Sequence, residues 1–267
     1  MKHVKAVIFD WAGTVVDYGS LAPMGAFVET FAEFGVEISI DEARGPMGMA
    51  KRPHIAALAA LPRIAEAWKR KHGRAPTDAD VDALYDVFVP KNVSVAAHYA
   101  DVIPGTAEVV SALRAEGVKI GSSTGYTREI MARITPRAAE QGFAPDSLVC
   151  TGDTPEGRPS PLMFYKGLID LDVWPAWHAI KVDDTTVGVA EGVNAGAWAV
   201  GVAVSGNAFG LSLADARALT PEEFMRRRAR ARDALYGAGA HYVIDSVADL
   251  IPVVAQVEGR LARCERP

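Results

Sequence analysis

Cysteine is scarce in this 267-residue chain: Cys150 and Cys264 are its only two. Two thiols cannot build the disulfide framework that staples small secreted domains, and their number fits a reducing cytoplasm. Cys150 reads as a buried core thiol and Cys264 as a tail thiol. Long apolar runs are missing as well. In the N-terminal MKHVKAVIFDWAG, the apolar run Ala6–Phe9 meets an acid before reaching the length of a signal-peptide core. No stretch approaches the roughly 20 apolar residues of a membrane-spanning helix. A long basic run, internal repeats and low-complexity segments are absent too. The net charge of −5 therefore argues against nucleic acid or an anionic membrane as partner. What remains is ordinary globular composition, 49% hydrophobic and 23% charged, enough for one large domain or a medium domain carrying a smaller one.

Short β-rich apolar runs recur along the chain. Val7–Phe9, Val118–Ile120, Leu148–Cys150, Ile180–Val182, Trp198–Val200 and Tyr242–Ile244 read as buried strands bounded by Gly, Asp or Ser. Amphipathic stretches such as Ala107–Glu116 lie between them. The alternation predicts an α/β fold with a doubly wound, mainly parallel, Rossmann-like sheet covered on both faces.

Residues from about 20 to 100 break that rhythm. Met24, Phe27, Val28, Phe31 and Phe34 follow helical spacing with Gly35 placed to end it. Ser39 with Glu42, and Thr77 with Asp80, form capping-box patterns. Pro53 suits a first helical turn ahead of Ile55, Leu58 and Leu61. A helical block after the first strand is expected to be an inserted α-helical cap domain. The expected division is a core of 1–18 and 103–267 and a cap of 19–102, hinged near Tyr18-Gly19 and Ile103-Pro104-Gly105. Farther on, Thr220-Pro221-Glu222-Glu223 should start a helix, and the Arg-rich Met225–Arg232 reads as its solvated face.

Ligands of open α/β sheets bind outside the carboxyl ends of the strands, and four motifs fall there. Asp10-Trp11-Ala12-Gly13-Thr14 puts an acid at a strand tip before a tight turn, as a nucleophile or metal ligand would need, although a lone Asp there also caps loops. Gly121–Tyr126 offers small hydroxyls and backbone N–H groups ahead of a helix, suited to an anion or to a plain turn. Arg158, in Gly157-Arg158-Pro159, brings a guanidinium that would hold a phosphoryl oxygen if it is not simply a surface residue. Asp183 and Asp184 end a fourth strand. Bringing Asp184 beside Asp10 costs roughly 1–4 kcal/mol of repulsion unless a cation intervenes, and oxygen-only ligands favour Mg²⁺.

In this order the four motifs resemble the haloacid dehalogenase superfamily, over the whole chain. Within it they are most similar to the phosphonoacetaldehyde hydrolases, which carry D-W-A-G-T at the first motif and a cap lysine in M-G-x-x-K, here Met47-Gly48-Met49-Ala50-Lys51. Thr124–Glu129 looks like their second motif and Gly157-Arg158-Pro159 like their third. The resemblance implies cleavage of a phosphorus–carbon bond during breakdown of 2-aminoethylphosphonate. Lys51 would form a Schiff base with the aldehyde, and Asp10 would become an aspartyl phosphate. Mg²⁺ would be held by Asp10, the Ala12 carbonyl and Asp184. Thr124, Gly125 and Arg158 would complete the anion site, with Met47, His54, Tyr126 and Ser20 lining the aldehyde side. It further implies a small-molecule phosphonate substrate and a homodimer formed through the cap.

The chemistry of position 12 agrees with that reading. An acid two residues beyond the nucleophile protonates a leaving oxygen; a leaving carbon has less use for it, and Ala12 stands there instead. A protonated imine on Lys51 supplies the electron sink. Lys51 must shed a proton to attack, and burial, Arg52, His54 and Mg²⁺ are expected to lower its affinity for one. The fourth motif departs from the usual G-D-T-x-x-D, with Asp183 for the Gly and Gly188 for the second Asp. The rival readings are a phosphatase or mutase acting on a phosphate ester, and a catalytically silent phosphonate binder.

Overall fold

The computed structural model describes residues 1–267. Strand β1 (Ala6–Phe9) is followed by five helices: α1 (Ala22–Glu33), α2 (Ile40–Arg44), α3 (Lys51–Ala60), α4 (Pro62–His72) and α5 (Asp78–Ala96). The chain then alternates: α6 (Thr106–Ala115), β2 (Lys119–Thr124), α7 (Arg128–Glu140), β3 (Ser147–Cys150), α8 (Leu162–Asp170), β4 (Ala179–Asp183), α9 (Thr186–Asn194) and β5 (Trp198–Val202). It closes with α10 (Leu213–Ala218), α11 (Pro221–Gly237), β6 (Tyr242–Ile244) and α12 (Leu250–Ala262). All six strands are parallel, in the order β3-β2-β1-β4-β5-β6. The expected doubly wound α/β sheet is therefore present.

The period-two alternation of a strand accounts for the two layers. Val7 and Phe9 point into the larger core beneath α6, α7 and α12, whereas Ala6 and Ile8 meet α8 on the opposite face. One expected boundary shifts. Strand β2 runs four residues beyond Ile120, because Gly121–Thr124 pairs with β3, so the small hydroxyls lie within the sheet and the turn begins at Gly125.

The helical segment between β1 and β2 has its own core, built on Phe27, Phe31, Ile55, Leu58, Trp68, Leu84 and Phe88. Both predicted capping boxes close, at Ser39–Glu42 and Thr77–Asp80. Helix α5 reaches back to the sheet layer, where Ala96 and Ala100 join the larger core. No helix is long and apolar enough to cross a membrane.

Candidate active site

Because β2, β1 and β4 are neighbours in register, their carboxyl ends bring Thr124, Asp10 and Asp183-Asp184 to one edge of the sheet. The Asp10 N–H still donates to Val182 O at 2.9 Å, so its carboxylate leaves the sheet where the ladder ends. Beyond it the chain turns tightly: the N–H groups of Thr14, Val15 and Val16 all donate to Trp11 O. Trp11 anchors the turn by packing edge-on against Phe143, ring centroids 4.9 Å apart.

Asp10, Asp183 and Asp184 are buried, with one carboxylate oxygen from each lying within 4.8 Å of the others. Their environments differ. Arg158 Nη2 lies 2.8 Å from Asp10 Oδ1, and Nη1 lies 3.2 Å from Asp183 Oδ2. The remaining Arg158 donors go to Glu191 and to Ser123. Lys181 Nζ reaches Asp183 at 3.1 Å, Glu191 at 2.9 Å and Ser123 Oγ at 2.7 Å. Burial works against the Asp183 charge, but Arg158 and Lys181 hold its carboxyl below the usual range. Asp184 has no such cation. Burial, with the charges of Asp10 and Asp183, pushes its carboxyl well above the usual range. Its oxygens accept from Thr14 Oγ1 and the Asn207 N–H. Burial also raises Asp10, against the pull of Arg158.

Two converging carboxylates whose local cations are already engaged suit a metal ion. Asp10 and Asp184 are the acids available to it, since Asp183 is committed to Arg158, Lys181 and Thr185.

Lys51 opens α3 and is only 4% exposed. Its ammonium stands 4.8 Å from the Tyr126 ring centroid and 5.6 Å from that of Phe27. Burial lowers its pKa to about 8, with Asp10 and Asp17 pulling the other way and Arg158 reinforcing the drop. A position at the positive end of a helix works in the same direction. Gly48 lets the segment ahead of Lys51 reach the sheet edge: a Cβ there would stand 2.3 Å from Thr185 Oγ1, and its φ is +90°.

A cavity of ≈ 20 Å³ gathers Asp10, Ala12, Ser20, Met47, Lys51, Thr124, Gly125, Tyr126 and Arg158 along its walls. Asp184 stands beside it and lines a second cavity of ≈ 300 Å³. His54 is not in the wall. It is fully buried one turn behind Lys51, stacked on Phe27 with centroids 4.1 Å apart, and Nε2 bonds Ala43 O at 2.8 Å. Burial first, then the Lys51 charge, lowers its pKa to about 3, so the ring is neutral and cannot depress Lys51 by charge. Arg52 does not act on Lys51 either, because its side chain turns outward to Asp82 at 2.6 Å. Arg158 is held within the buried network instead of waiting as a free anion receptor.

Four residues were missed in the sequence. Asp17 is buried, takes a φ of +54°, and accepts from the Leu21 and Ala22 N–H groups at the start of α1. Lys181, Glu191 and Asn207 complete the ionic and hydrogen-bonded surroundings of the aspartates. Lys181 carried a readable signal, a charged residue inside an all-buried parallel strand; the others carried none.

A family model described as haloacid dehalogenase-like hydrolase matches residues 4–196. The chain belongs to this family, a class of hydrolases that its sheet and strand-end aspartates define. It is 72% identical to the phosphonoacetaldehyde hydrolase of Paraburkholderia phytofirmans across the whole of both chains. It is 47% identical to the phosphonoacetaldehyde hydrolase of Klebsiella pneumoniae, again over both full lengths. Full-length likeness of this order sets it, within that family, among the phosphonoacetaldehyde hydrolases. A crystal structure of a phosphonoacetaldehyde hydrolase-like protein from Oleispira antarctica superposes with a TM-score of 0.97 at 46% identity, covering 99% of this chain and 96% of that one. A β-phosphoglucomutase from Clostridium difficile, 17% identical, shares the fold alone: its TM-score is 0.67, over 97% of this chain and 99% of that one.

Proposed function

We propose that this chain hydrolyses the phosphorus–carbon bond of phosphonoacetaldehyde to acetaldehyde and phosphate, in the degradation of 2-aminoethylphosphonate. The observation that carries the reading is a buried lysine of lowered pKa sharing one cavity with a strand-end aspartate, where the second acid of the motif is an alanine. Its relatives' names support the substrate.

In the proposed reaction, Lys51 Nζ condenses with the aldehyde carbon and water leaves, giving a protonated imine. Asp10 then attacks phosphorus. Arg158 holds Asp10 Oδ1, which leaves Oδ2 for the attack. The phosphorus–carbon bond breaks, and its electron pair moves through carbon to the imine nitrogen, giving a neutral enamine. Protonation at carbon returns an imine. One water hydrolyses it to acetaldehyde and free Lys51; a second hydrolyses the aspartyl phosphate to phosphate and Asp10. The Tyr126 ring steadies the cationic nitrogen. Thr124 and Gly125 form the anion-facing wall, with Met47 and Ser20 on the aldehyde side. A bound Mg²⁺, held by Asp10, the Ala12 carbonyl and Asp184, would neutralise charge on the transferring phosphoryl group.

The helical insert, residues 19–102, serves as the cap that brings Lys51 to the core, and we place a homodimer contact on it and the protein in the cytoplasm. A phosphate-ester reading finds no support at Ala12, which cannot protonate a leaving oxygen.

The test combines two assays. Phosphate release from phosphonoacetaldehyde should require Mg²⁺ and vanish in Asp10→Asn. Borohydride added during turnover should fix a two-carbon adduct on Lys51. Turnover without such an adduct would remove the imine from the mechanism, and no turnover with Mg²⁺ present would leave the silent-binder reading.

A further inference from the structure

The Arg44 guanidinium ends α2 in the insert and has no carboxylate partner. Its donors are spent on neutral oxygens from two places. Nη1 reaches Gly19 O at 2.9 Å and Ser20 O at 3.4 Å, at the entry to the insert. It also reaches Asn207 Oδ1 at 3.1 Å and Asn207 O at 3.3 Å, while Nη2 reaches Gly210 O at 3.1 Å. Asn207 answers by donating Nδ2 to Arg44 O at 3.2 Å. Withdrawing a guanidinium from water costs free energy that carbonyl contacts recover only in part, and the planar fork suits gripping several acceptors at once.

The loop that Arg44 grips, between β5 and α10, is also tied to the active site. The Asn207 N–H donates to Asp184 Oδ2 at 2.8 Å. Ser205 Oγ donates to Gly13 O at 3.0 Å, inside the turn that follows Asp10. Ser205 O accepts from the Gly19 N–H at 2.7 Å. One short loop thus touches the insert, its hinge, the Asp10 turn and the Asp184 carboxylate.

We infer that Arg44 and Asn207 form a latch coupling closure of the helical insert to the placement of the Asp184 carboxylate. They are positioning residues and do not touch the reacting atoms. Swinging the insert away breaks the Arg44 bonds to Asn207 and Gly210 and frees the loop; closing it seats the Asn207 N–H on Asp184 as Lys51 arrives opposite Asp10. The inference rests on the insert acting as a mobile cap, and not on the identity of the substrate.

The test needs no substrate. Hydrogen–deuterium exchange of residues 205–211 and reductive methylation of Lys51, read by peptide mass spectrometry, are compared in the intact protein, Arg44→Ala, Asn207→Ala and the double variant. Loss of a charge-assisted hydrogen bond should raise both rates about tenfold in each single variant, while surface lysines react as before. The double variant should be no faster than the faster single, because both changes open one latch, and Arg44→Lys should recover part of the protection. Asn207→Ala keeps its backbone N–H and carries the same test should Arg44→Ala fail to fold. Unchanged Lys51 reactivity in a folded single variant, or additive effects in the double, overturns the latch. If the rates respond as expected while phosphonoacetaldehyde is not turned over, the latch stands and the substrate assignment falls.

Discussion

A Cβ on residue 188 would stand 2.0 Å from the carboxyl carbon of Asp183. The two departures in the fourth motif are therefore one exchange: the Asp183 carboxylate occupies the room that a side chain on α9 would need, and Arg158, Lys181 and Thr185 hold it there.

That relationship predicts the behaviour of the exchange itself. Gly188→Ala should cost about 1–3 kcal/mol by overpacking, and Gly188→Asp about 3–5 kcal/mol because it adds an unpaired buried charge. Combining Gly188→Asp with Asp183→Gly should recover most of that loss in urea denaturation. A double variant that loses as much stability as the two single variants together would mean the two sites are independent.

Lys51 sets a pH dependence whose sign follows from its titration near 8, against 10.5 when free. The unfolded chain binds more protons between those values, so stability rises with pH through that window. Imine formation should climb as pH passes about 8 and level off above it. Lys51→Met removes a buried amine and should raise stability at pH 7 by about 1–3 kcal/mol while abolishing borohydride trapping. A pH-independent trapping rate between pH 6 and 10 would contradict it.

Lys181 and Glu191 should behave as a unit. Lys181→Met leaves Asp183 and Glu191 short of a buried cation and should cost about 3–5 kcal/mol. Adding Glu191→Gln removes one of the stranded charges, and at least half of that loss should return in thermal melts. A double variant less stable than Lys181→Met would show that Glu191 is needed for Arg158 alone.

Asp17 carries the opposite sign. Burial raises its pKa to about 6 from 3.8, so the folded chain binds more protons in that interval and this group favours folding more as pH falls through about 6. Asp17→Asn suits the left-handed backbone but leaves one of the Leu21 and Ala22 N–H groups without an acceptor; it should flatten the stability curve between pH 4 and 6. A variant that keeps the wild-type slope would assign that slope to another group.

The sheet was legible because buried parallel strands announce themselves as short β-rich runs, and each of the six predicted runs falls on one of the six strands, with Val118 alone standing one residue ahead of β2. The end of β2 was not legible: Gly121, Ser122 and Ser123 have turn-like composition, yet pairing with β3 and total burial keep them extended. Within the site, the strand-end motifs brought out Asp10, Thr124 and Arg158, and the family resemblance added Lys51; all four line one cavity. His54, which the sequence left open between a functional and a structural histidine, is the structural one: its ring turns to Ala43. Asn207 lies 23 residues past Asp184, in a loop with no composition to mark it, and only the three-dimensional return of the chain brings its N–H to that carboxylate.

The reaction cavity, at ≈ 20 Å³, has room for about one water molecule. A two-carbon phosphonate is larger than that, so the walls must give way to admit it. If the helical insert is the cap proposed above and must move for this, the ceiling on throughput becomes mechanical once the chemistry is fast, set by the friction that solvent exerts on it. Such an enzyme would slow in a viscous medium even when saturated with substrate, and under the imine mechanism proposed above the narrow walls would limit how much water meets the enamine.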